Sequence, residues 1–584
     1  MNHPFDSVFT FGVTGHRDLV TEDISVYRSA IFEQLKEIKS KLPDTPVELI
    51  SGMAVGADQL VAEIALELNF RVTALLPMPI ESYRLDFSED EWLRLNALLE
   101  TPGVTTRVCD HANQFSSEEL KNQTLRNQCY AEMGNELIEC SILLLALWDG
   151  NLTIEQGGTT DVLLRYLGCP GYSEEQPPRP IHLSLKEFKE QPESSGKFAL
   201  WLPVNRSQKS TVTNDGHQIR VITRGLSNQQ LLYSNELSIQ FHRQLEQFNE
   251  YNVQYQRAYE DYQPGYDNHL LKPSVESLVE NAELKAMDDA FVKADNVAIY
   301  NQKKSDFQFK LFGYMAALMG ISFLVYAKVV AAKVLIITYA LLFLSGYIIF
   351  KVTHKKHWFT HHLSSRIAAE TLRVKFFLAL AGVKQRLDTE ELFKLSGLHN
   401  FEGFNWILWL IKPLNQTVQK TISRDEQCVA LVCEEWVQDQ AQYFQKKAGQ
   451  LHHEHHKLER IKQVLLLGSF IASLLLIFFK ESLVSTIIAG DFSTKSLLVL
   501  LMGLLPLLLG IWEIYQGKLA VKELQWQYKN QALLFNAYLS HLNQSDDVEE
   551  KREILFDLAK RSLMENYLWS IHRYHREHEP PAAG

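Results

Sequence analysis

This 584-residue chain is predicted to fold as an α/β domain, a parallel sheet with helices on both faces, followed by an all-α membrane domain with four transmembrane helices in two hairpins. Two observations carry that reading. Strand-like and helix-like patterns alternate through the first 225 residues, and four runs free of any charge lie between residues 311 and 512. The chain is too long for one core. With 46% hydrophobic and 22% charged residues it is neither disordered nor collagen-like. A net charge of -12 with no basic face excludes a nucleic-acid binder. The six cysteines are scattered without metal spacing and read as reduced, buried thiols. Met1 to Thr10 lacks the basic and apolar segments of a cleaved signal peptide, so membrane contact is expected through internal segments.

The first strand is Val8 to Val13, followed by the turn Thr14-Gly15-His16-Arg17. Ile24, Tyr27, Ile31, Leu35, Ile38 and Leu42 then share one helical face. A second strand, Val47 to Ile50, enters Ser51-Gly52-Met53-Ala54-Val55-Gly56-Ala57-Asp58 and a helix with Leu60, Val61, Ile64 and Leu68 inward. Val72 to Leu76 is the third strand. Ile142 to Trp148 is a continuous apolar strand that reaches Asp149-Gly150, and Gly157-Gly158-Thr159-Thr160 opens another helix.

Three strand ends thus bring glycine turns and helix starts to one sheet edge, where open α/β folds bind ligands. Glycine lets the backbone approach a phosphate, and helix N-termini offer free N–H groups. Thr14, Thr159 and Thr160 add hydroxyls, and His16 and Arg17 add charge. Arg126 and Tyr130, on a helix predicted over Glu118 to Glu139, are either rim contacts or packing; Asp58 is either a helix cap or a ligand contact. The spacing matches neither Gly-x-Gly-x-x-Gly nor a P-loop, which disfavours an ordinary dehydrogenase or NTPase.

Taken together, Gly-Val-Thr-Gly-His-Arg at 12 to 17, Ser-Gly-Met-Ala-Val-Gly-Ala-Asp at 51 to 58, Leu-Pro-Met-Pro with Tyr83 and Asp86-Phe87, and Leu-Trp-Asp-Gly followed by Gly-Gly-Thr closely resemble the SLOG superfamily over roughly residues 5 to 225. The resemblance implies a Rossmann-like sheet and a nucleotide or nucleotide-derived signal, such as an ADP-ribose derivative or a cyclic nucleotide. It implies a site lined by Gly15, His16 and Arg17, by Gly52, Gly56 and Asp58, and by Asp149 with Gly157, Gly158 and Thr159. Some members split the base from a nucleotide with a Pro-Gly-Gly-x-Gly-Thr-x-x-Glu motif. Here Glu155-Gln156-Gly157-Gly158-Thr159-Thr160-Asp161 lacks the proline, one glycine and the glutamate, and Asp161 stands in a different register. No catalytic residue and no metal ligand is assigned.

The charge-free runs are Leu311 to Ala327, Val334 to Phe350, Val464 to Phe479 and Ser496 to Trp512. Each covers about 25 Å at ~1.5 Å per residue, short of a ~30 Å hydrocarbon core, and flanking lysines such as Lys310, Lys351, Lys462 and Lys495 supply the remainder by snorkelling. Short connections make two hairpins. The lysine excess outside them puts both termini in the cytoplasm and the protein in the cytoplasmic membrane. Gly503, Pro506 and Gly510 predict a kinked, closely packing fourth span.

Each hairpin follows a polar helix (Ala294 to Lys310; Gly449 to Gln463) and precedes another (His354 to Leu380; Tyr515 to His541), an internal repeat in layout. With Ala294-Asp295 and Ala298-Ile299-Tyr300 before the first span, the hairpins resemble two-transmembrane SLATT modules, whose family expectation is an oligomeric, membrane-perturbing effector.

The expected domains are 1–225 for ligand sensing, 226–310 a helical neck, 311–400 and 461–545 the hairpins with trailing helices, 401–460 connecting helices and 546–584 a terminal helix. Phe404 to Leu410, with Trp406 and Trp409, is expected at the membrane interface; the histidines at 354, 357 and 361 and at 452 to 456 read as interfacial polar faces. The resemblances imply an effector of bacterial antiviral defence. A nucleotide second messenger, made by a partner enzyme, would open a homo-oligomer in the lipid bilayer. The alternative is a membrane-anchored hydrolase of nucleotide metabolites.

Overall fold

A computed structural model describes residues 7–151, 157–169, 179–182, 197–207, 217–225, 230–235, 239–262, 269–272, 282–383, 385, 387–401, 403–414, 426–485, 487–489, 492–519 and 521–578. Glu155, Gln156 and the Pro264-Gly265 break lie outside these. The chain divides into two compact units: residues 1–261 with 285–290 and 402–420, and residues 262–284 with 291–401 and 421–584.

The first unit is a Rossmann-like α/β domain around a nine-stranded sheet: β1 (Phe9–Gly15), β2 (Val47–Ser51), β3 (Arg71–Leu76), β4 (Val104–Val108), β5 (Leu143–Trp148), β6 (Arg179–His182), β7 (Phe198–Pro203), β8 (Arg220–Arg224) and β9 (Gln230–Ser234). Their order is β4-β3-β2-β1-β5-β7-β8-β9-β6, and only β8 runs against the others. The sequence shows strands β1, β2, β3 and β5; β4, β6, β8 and β9 are short or carry polar residues that hide their periodicity, while the apolar β7 goes unread.

Among the described residues, the longer helices that accompany the first half of the sheet are α1 (Ile24–Lys41), α2 (Ala57–Glu67), α3 (Glu89–Leu99), α4 (Gln123–Cys140) and α5 (Thr159–Tyr166). Tyr27, Ile31, Leu35 and Ile38 of α1 are buried, as their spacing requires. Ser88 and Glu91 close a capping box at α3. Two glycines of β1 show that helices lie on both faces of the sheet. A Cβ on Gly12 would strike Ser141 Oγ at 2.3 Å beside α4; one on Gly15 would strike Ala57 Cβ of α2 at 2.3 Å. Residues three apart on a strand face opposite ways, so the two helices pack from opposite sides.

Residues 239–262, expected in a neck, instead form α6 (Ile239–Tyr262) inside this unit. Phe241, Phe248 and Tyr251 are buried. The segment around the short helix Trp406–Ile411 joins them. Trp409 meets Phe9, Phe241 and Phe248 at ring distances of 5.6, 5.7 and 6.1 Å, and Trp406 meets Tyr251 at 4.7 Å. Phe404, Trp406 and Leu410 are buried. The expected interfacial placement is thus corrected: these residues complete the α/β core, a burial that favours apolar rings as strongly as a membrane surface would.

The second unit is helical. α7 (Ala282–Lys328), α8 (Lys333–His354) and α9 (Trp358–Leu380) form the first set. α10 (Asp439–Ser485), α11 (Thr494–Leu519) and α12 (Val521–Gln544) form the second, and α13 (Val548–His578) closes the chain. Lengths of 47, 22 and 23 residues are repeated as 47, 26 and 24, which agrees with the layout read as a repeat. The second connection contains a small antiparallel pair, Ile487–Ala489 with Phe492–Ser493. α9 forms much of the core, with Ile367, Leu372 and Phe376 buried and Thr371 Oγ1 2.9 Å from the Tyr567 hydroxyl of α13.

Among the described residues, four helices are long and apolar enough to cross a membrane, and at most 6% of each apolar window is buried within the protein. The chain is therefore a multi-pass membrane protein, because uncovered apolar helices of this length need lipid as their solvent. A Cβ on Gly320 would fall 2.1 Å from Leu507, and one on Gly503 would fall 3.1 Å from Leu324, so α7 and α11 cross antiparallel with each glycine accepting the other helix's leucine. Gly510 has nothing within 4 Å. All six cysteines are free; five are buried and Cys433 is half-buried.

Candidate functional site

β2 to β4 extend from β1 in one direction, and β5 and its neighbours extend in the other. The strand order therefore reverses between β1 and β5, which pair from Phe11↔Leu143 to Gly15↔Leu147. A crevice at the carboxyl ends of such strands is where open α/β sheets bind ligands. A cavity of about 310 Å³ lies there, within the range of small-molecule sites.

Of the residues expected at the site, Thr14, Gly15, His16, Arg17, Gly52, Asp58, Gly157, Gly158 and Thr159 line this cavity. Gly56 stands behind it. At φ +89° it turns the chain into α2, and a Cβ there would meet the Arg17 carbonyl at 2.5 Å. Asp149 is also behind the lining. Its Oδ1 lies 3.1 Å from His16 Nε2, and its carboxylate accepts from the Asn151 amide N–H at 3.0 Å. Burial opposes its ionisation, but the nearby His16 ring and the bonds from Asn151 outweigh this and hold the carboxyl down at about 2. Asp149 thus orients His16 toward the cavity.

Of the two roles left open for Arg126, rim contact or packing, it takes packing. It is buried and donates to the Leu120 carbonyl at 2.9 Å, the Ser82 carbonyl at 3.1 Å and Asp86 at 2.5 Å, which consumes its fork. Its place is taken by Tyr130, whose hydroxyl donates to Asp86 at 2.6 Å and accepts from Arg17 at 3.3 Å. Arg17 itself is exposed, with its guanidinium 5.6 Å from the Tyr130 ring centre. Although burial of its surroundings opposes the charge, Tyr130, Tyr83 and Asp86 raise its pKa further, so it is a permanent cation at the mouth.

Asp58 is buried and lines the cavity. Desolvation pushes its carboxyl up to about 7, against the Ala54 N–H bond and the charge of Arg17. It therefore changes charge near neutrality. Tyr83 closes the floor, donating to the Gly52 carbonyl at 2.8 Å.

At the opposite wall, Gly157 has φ +78°, and a Cβ there would lie 2.9 Å from the Ala131 N. Its N–H donates to Asp161 Oδ2 at 2.7 Å, and Arg165 pairs with the same oxygen at 2.5 Å. Asp161, the carboxylate nearest the missing hydrolytic glutamate, is thereby committed to fastening the turn. Gly158 stands at the N-cap of α5, where no side-chain cap hydrogen bond is made among the described residues, and the positive end of the helix dipole faces the cavity through Gly158 and Thr159.

Arg206 is the lining cation that the sequence did not reveal. It stands after β7, pairs with Asp18 at 2.8 Å and comes within 3.9 Å of Asp149. Its position depends on β7 pairing with β5, a contact between distant segments with no local signal. The lining thus combines Arg17, Arg206 and His16 with glycine turns, a helix start and the tyrosine pair. That set suits an anionic group joined to a flat ring. No family model, curated protein or solved structure matches this chain.

Proposed function

We propose that the protein is a ligand-gated membrane effector whose α/β domain binds a nucleotide-derived signal. The observation that carries this reading is the cavity at the β1–β5 reversal, where Arg17 and the start of α5 flank a tyrosine-floored pocket. A phosphate would meet Arg17 and the α5 amides, and a base would lie toward Tyr83 and Met133. The resemblance to SLOG and SLATT modules gives the reading its setting: a defence effector of the cytoplasmic membrane, with cytoplasmic termini, assembled as a homo-oligomer and answering a second messenger made by a partner enzyme. To drive such an assembly from mostly closed to mostly open, the signal must favour the open state by roughly 5 kcal/mol, which phosphate contacts in several subunits supply. Asp161 fastens the Gly157 turn and Asp149 holds the His16 ring, which removes both from the role of hydrolytic carboxylate and favours binding over the hydrolase reading.

The test uses the full chain in dye-loaded liposomes, challenged with cyclic dinucleotides, cyclic oligonucleotides and ADP-ribose derivatives, with chromatography of each ligand afterwards. Leakage on adding one of them, lost in Arg17→Glu, with the ligand recovered intact, is the expected result. A cleaved ligand would transfer the protein to the hydrolases. Binding without leakage in any lipid would remove the effector half of the reading.

A further inference from the structure

The helical unit contains a second cavity, of about 490 Å³, that the proposal above does not use. It lies between α7, α9, α10, α12 and α13, outside the charge-free spans. Gln302 and Glu454 on its wall precede the first and third spans by nine and ten residues, which places them more than about 10 Å from the hydrocarbon along straight helices. A lipid headgroup is therefore not its natural occupant.

Two acceptors here lack donors, and a third is available. The Oε1 of Gln531 and the Oδ1 of Asn566 are buried without a hydrogen-bond partner, and Gln531 is only 4% exposed. Such orphans persist at a cost unless something else satisfies them. The third acceptor follows from tautomer logic. His362 Nδ1 lies 3.0 Å from the Ala298 carbonyl oxygen, which can only accept, so Nδ1 carries the proton and Nε2 of the neutral ring carries a lone pair.

One wall is aromatic. Phe444 meets Tyr528 at a ring distance of 5.8 Å and an interplanar angle of 30°, and meets Phe535 at 5.5 Å. Trp436 continues this wall 6.1 Å beyond Phe535, on a single π-helical turn, Cys433–Gln438. Such π-turns recur at binding sites, where they re-aim side chains out of a regular helix.

The charges in the lining cancel. Arg366 is held by Asp295 at 2.8 Å and by Glu370 at 2.7 Å, and Lys447, Arg573 and Glu454 also line the cavity. A cavity with three cations and three anions offers no net attraction to a charged guest, whose desolvation would go uncompensated.

We propose that this cavity binds a small uncharged molecule that combines a flat ring with several N–H or O–H donors, of the nucleoside class. Its ring stacks on the Phe444–Tyr528 wall, and its donors satisfy Gln531, Asn566 and His362. The volume falls within the range of small-molecule pockets.

Isothermal titration of the full chain in detergent, with adenosine, guanosine, cytidine and uridine as probes, tests this assignment. At least one nucleoside is expected to bind, with its monophosphate at least tenfold weaker. Gln531→Leu should weaken binding at least tenfold. Because that variant removes an orphaned polar atom, its thermal midpoint should equal or exceed that of the wild type, which separates lost binding from lost folding. If Gln531→Leu nevertheless unfolds early, Asn566→Leu is the second test, with the same tenfold loss expected. Gly52→Leu, which fills the other cavity, should leave this titration intact. The assignment is overturned if no nucleoside gives heat, if both leucine variants bind normally, or if Gly52→Leu alone abolishes binding.

Discussion

The α/β unit and the membrane spans use the same leucines, phenylalanines and glycines to opposite effect. In β5, Leu144 and Leu147 are wholly buried; in α8, Leu341 and Phe343 are each 62% exposed. One set gains by leaving water for protein, and the other by leaving water for lipid. In the sheet, Gly12 and Gly15 admit two helices to within contact of a strand, whereas in the spans Gly320 and Gly503 admit a leucine each. The comparison teaches that specificity in the first unit resides in close backbone approach and paired polar groups. In the spans it rests on a few interlocking side chains.

The largest effect that would sharpen this contrast concerns Asp58, because the spans hold no buried ionisable group of its kind. A carboxyl raised to about 7 in the folded state from its ordinary 3.8 contributes stability that is full below pH 4 and is lost as the pH rises through 7. Asp58→Asn should abolish that slope and be more stable than the wild type at pH 8 by on the order of 4 kcal/mol, read from urea unfolding at pH 5 and pH 8. Equal slopes in the two proteins would show that Asp58 ionises freely.

Next comes a matched pair. Leu144→Ala should cost about 3 kcal/mol by opening a cavity in the sheet core, while Leu341→Ala, facing lipid, should cost under about 0.5 kcal/mol in detergent. Similar losses would break the distinction between the two solvents. Gly320→Leu should then cost roughly 2 kcal/mol by driving α7 from α11, measured as a lower thermal midpoint with the α/β transition unchanged. The smallest effect on stability belongs to Arg17→Glu. Its exposed side chain leaves unfolding within about 0.5 kcal/mol, yet the variant should lose measurable phosphate-ligand binding by calorimetry. Gly15→Asp is no substitute in that experiment, since its Cβ would strike Ala57 and Leu147 and break the fold.

Much of this was legible in the sequence because the signals are local. Continuous apolar runs ending in Gly15, Gly52 and Asp149 specify strands that finish at one edge, and runs free of charge specify spans. What stayed hidden depends on distant partners. Arg126 has the same composition as a rim cation until Asp86 arrives from another turn to occupy it. Arg206 reaches the cavity through β7, and the tyrosine at 130 is tied to the same Asp86. Trp406 and Trp409 read as interfacial because a tryptophan pair among leucines fits a membrane surface and a protein core alike; the rings of Phe9 and Phe248 decide between them.

That last contact has a consequence for the order of synthesis. Phe9 leaves the ribosome about 400 residues before Trp409, its ring partner, and the first pair of spans is translated in between. At roughly 5–20 residues per second the aromatic face completed by α6 at residue 262 waits about 7–30 s for Trp409, 147 residues later, while the first hairpin is being translated. Chains stalled before residue 406 should therefore be caught by chaperones through β1 and α6, and membrane insertion becomes a step on the folding route of a unit that never enters the bilayer.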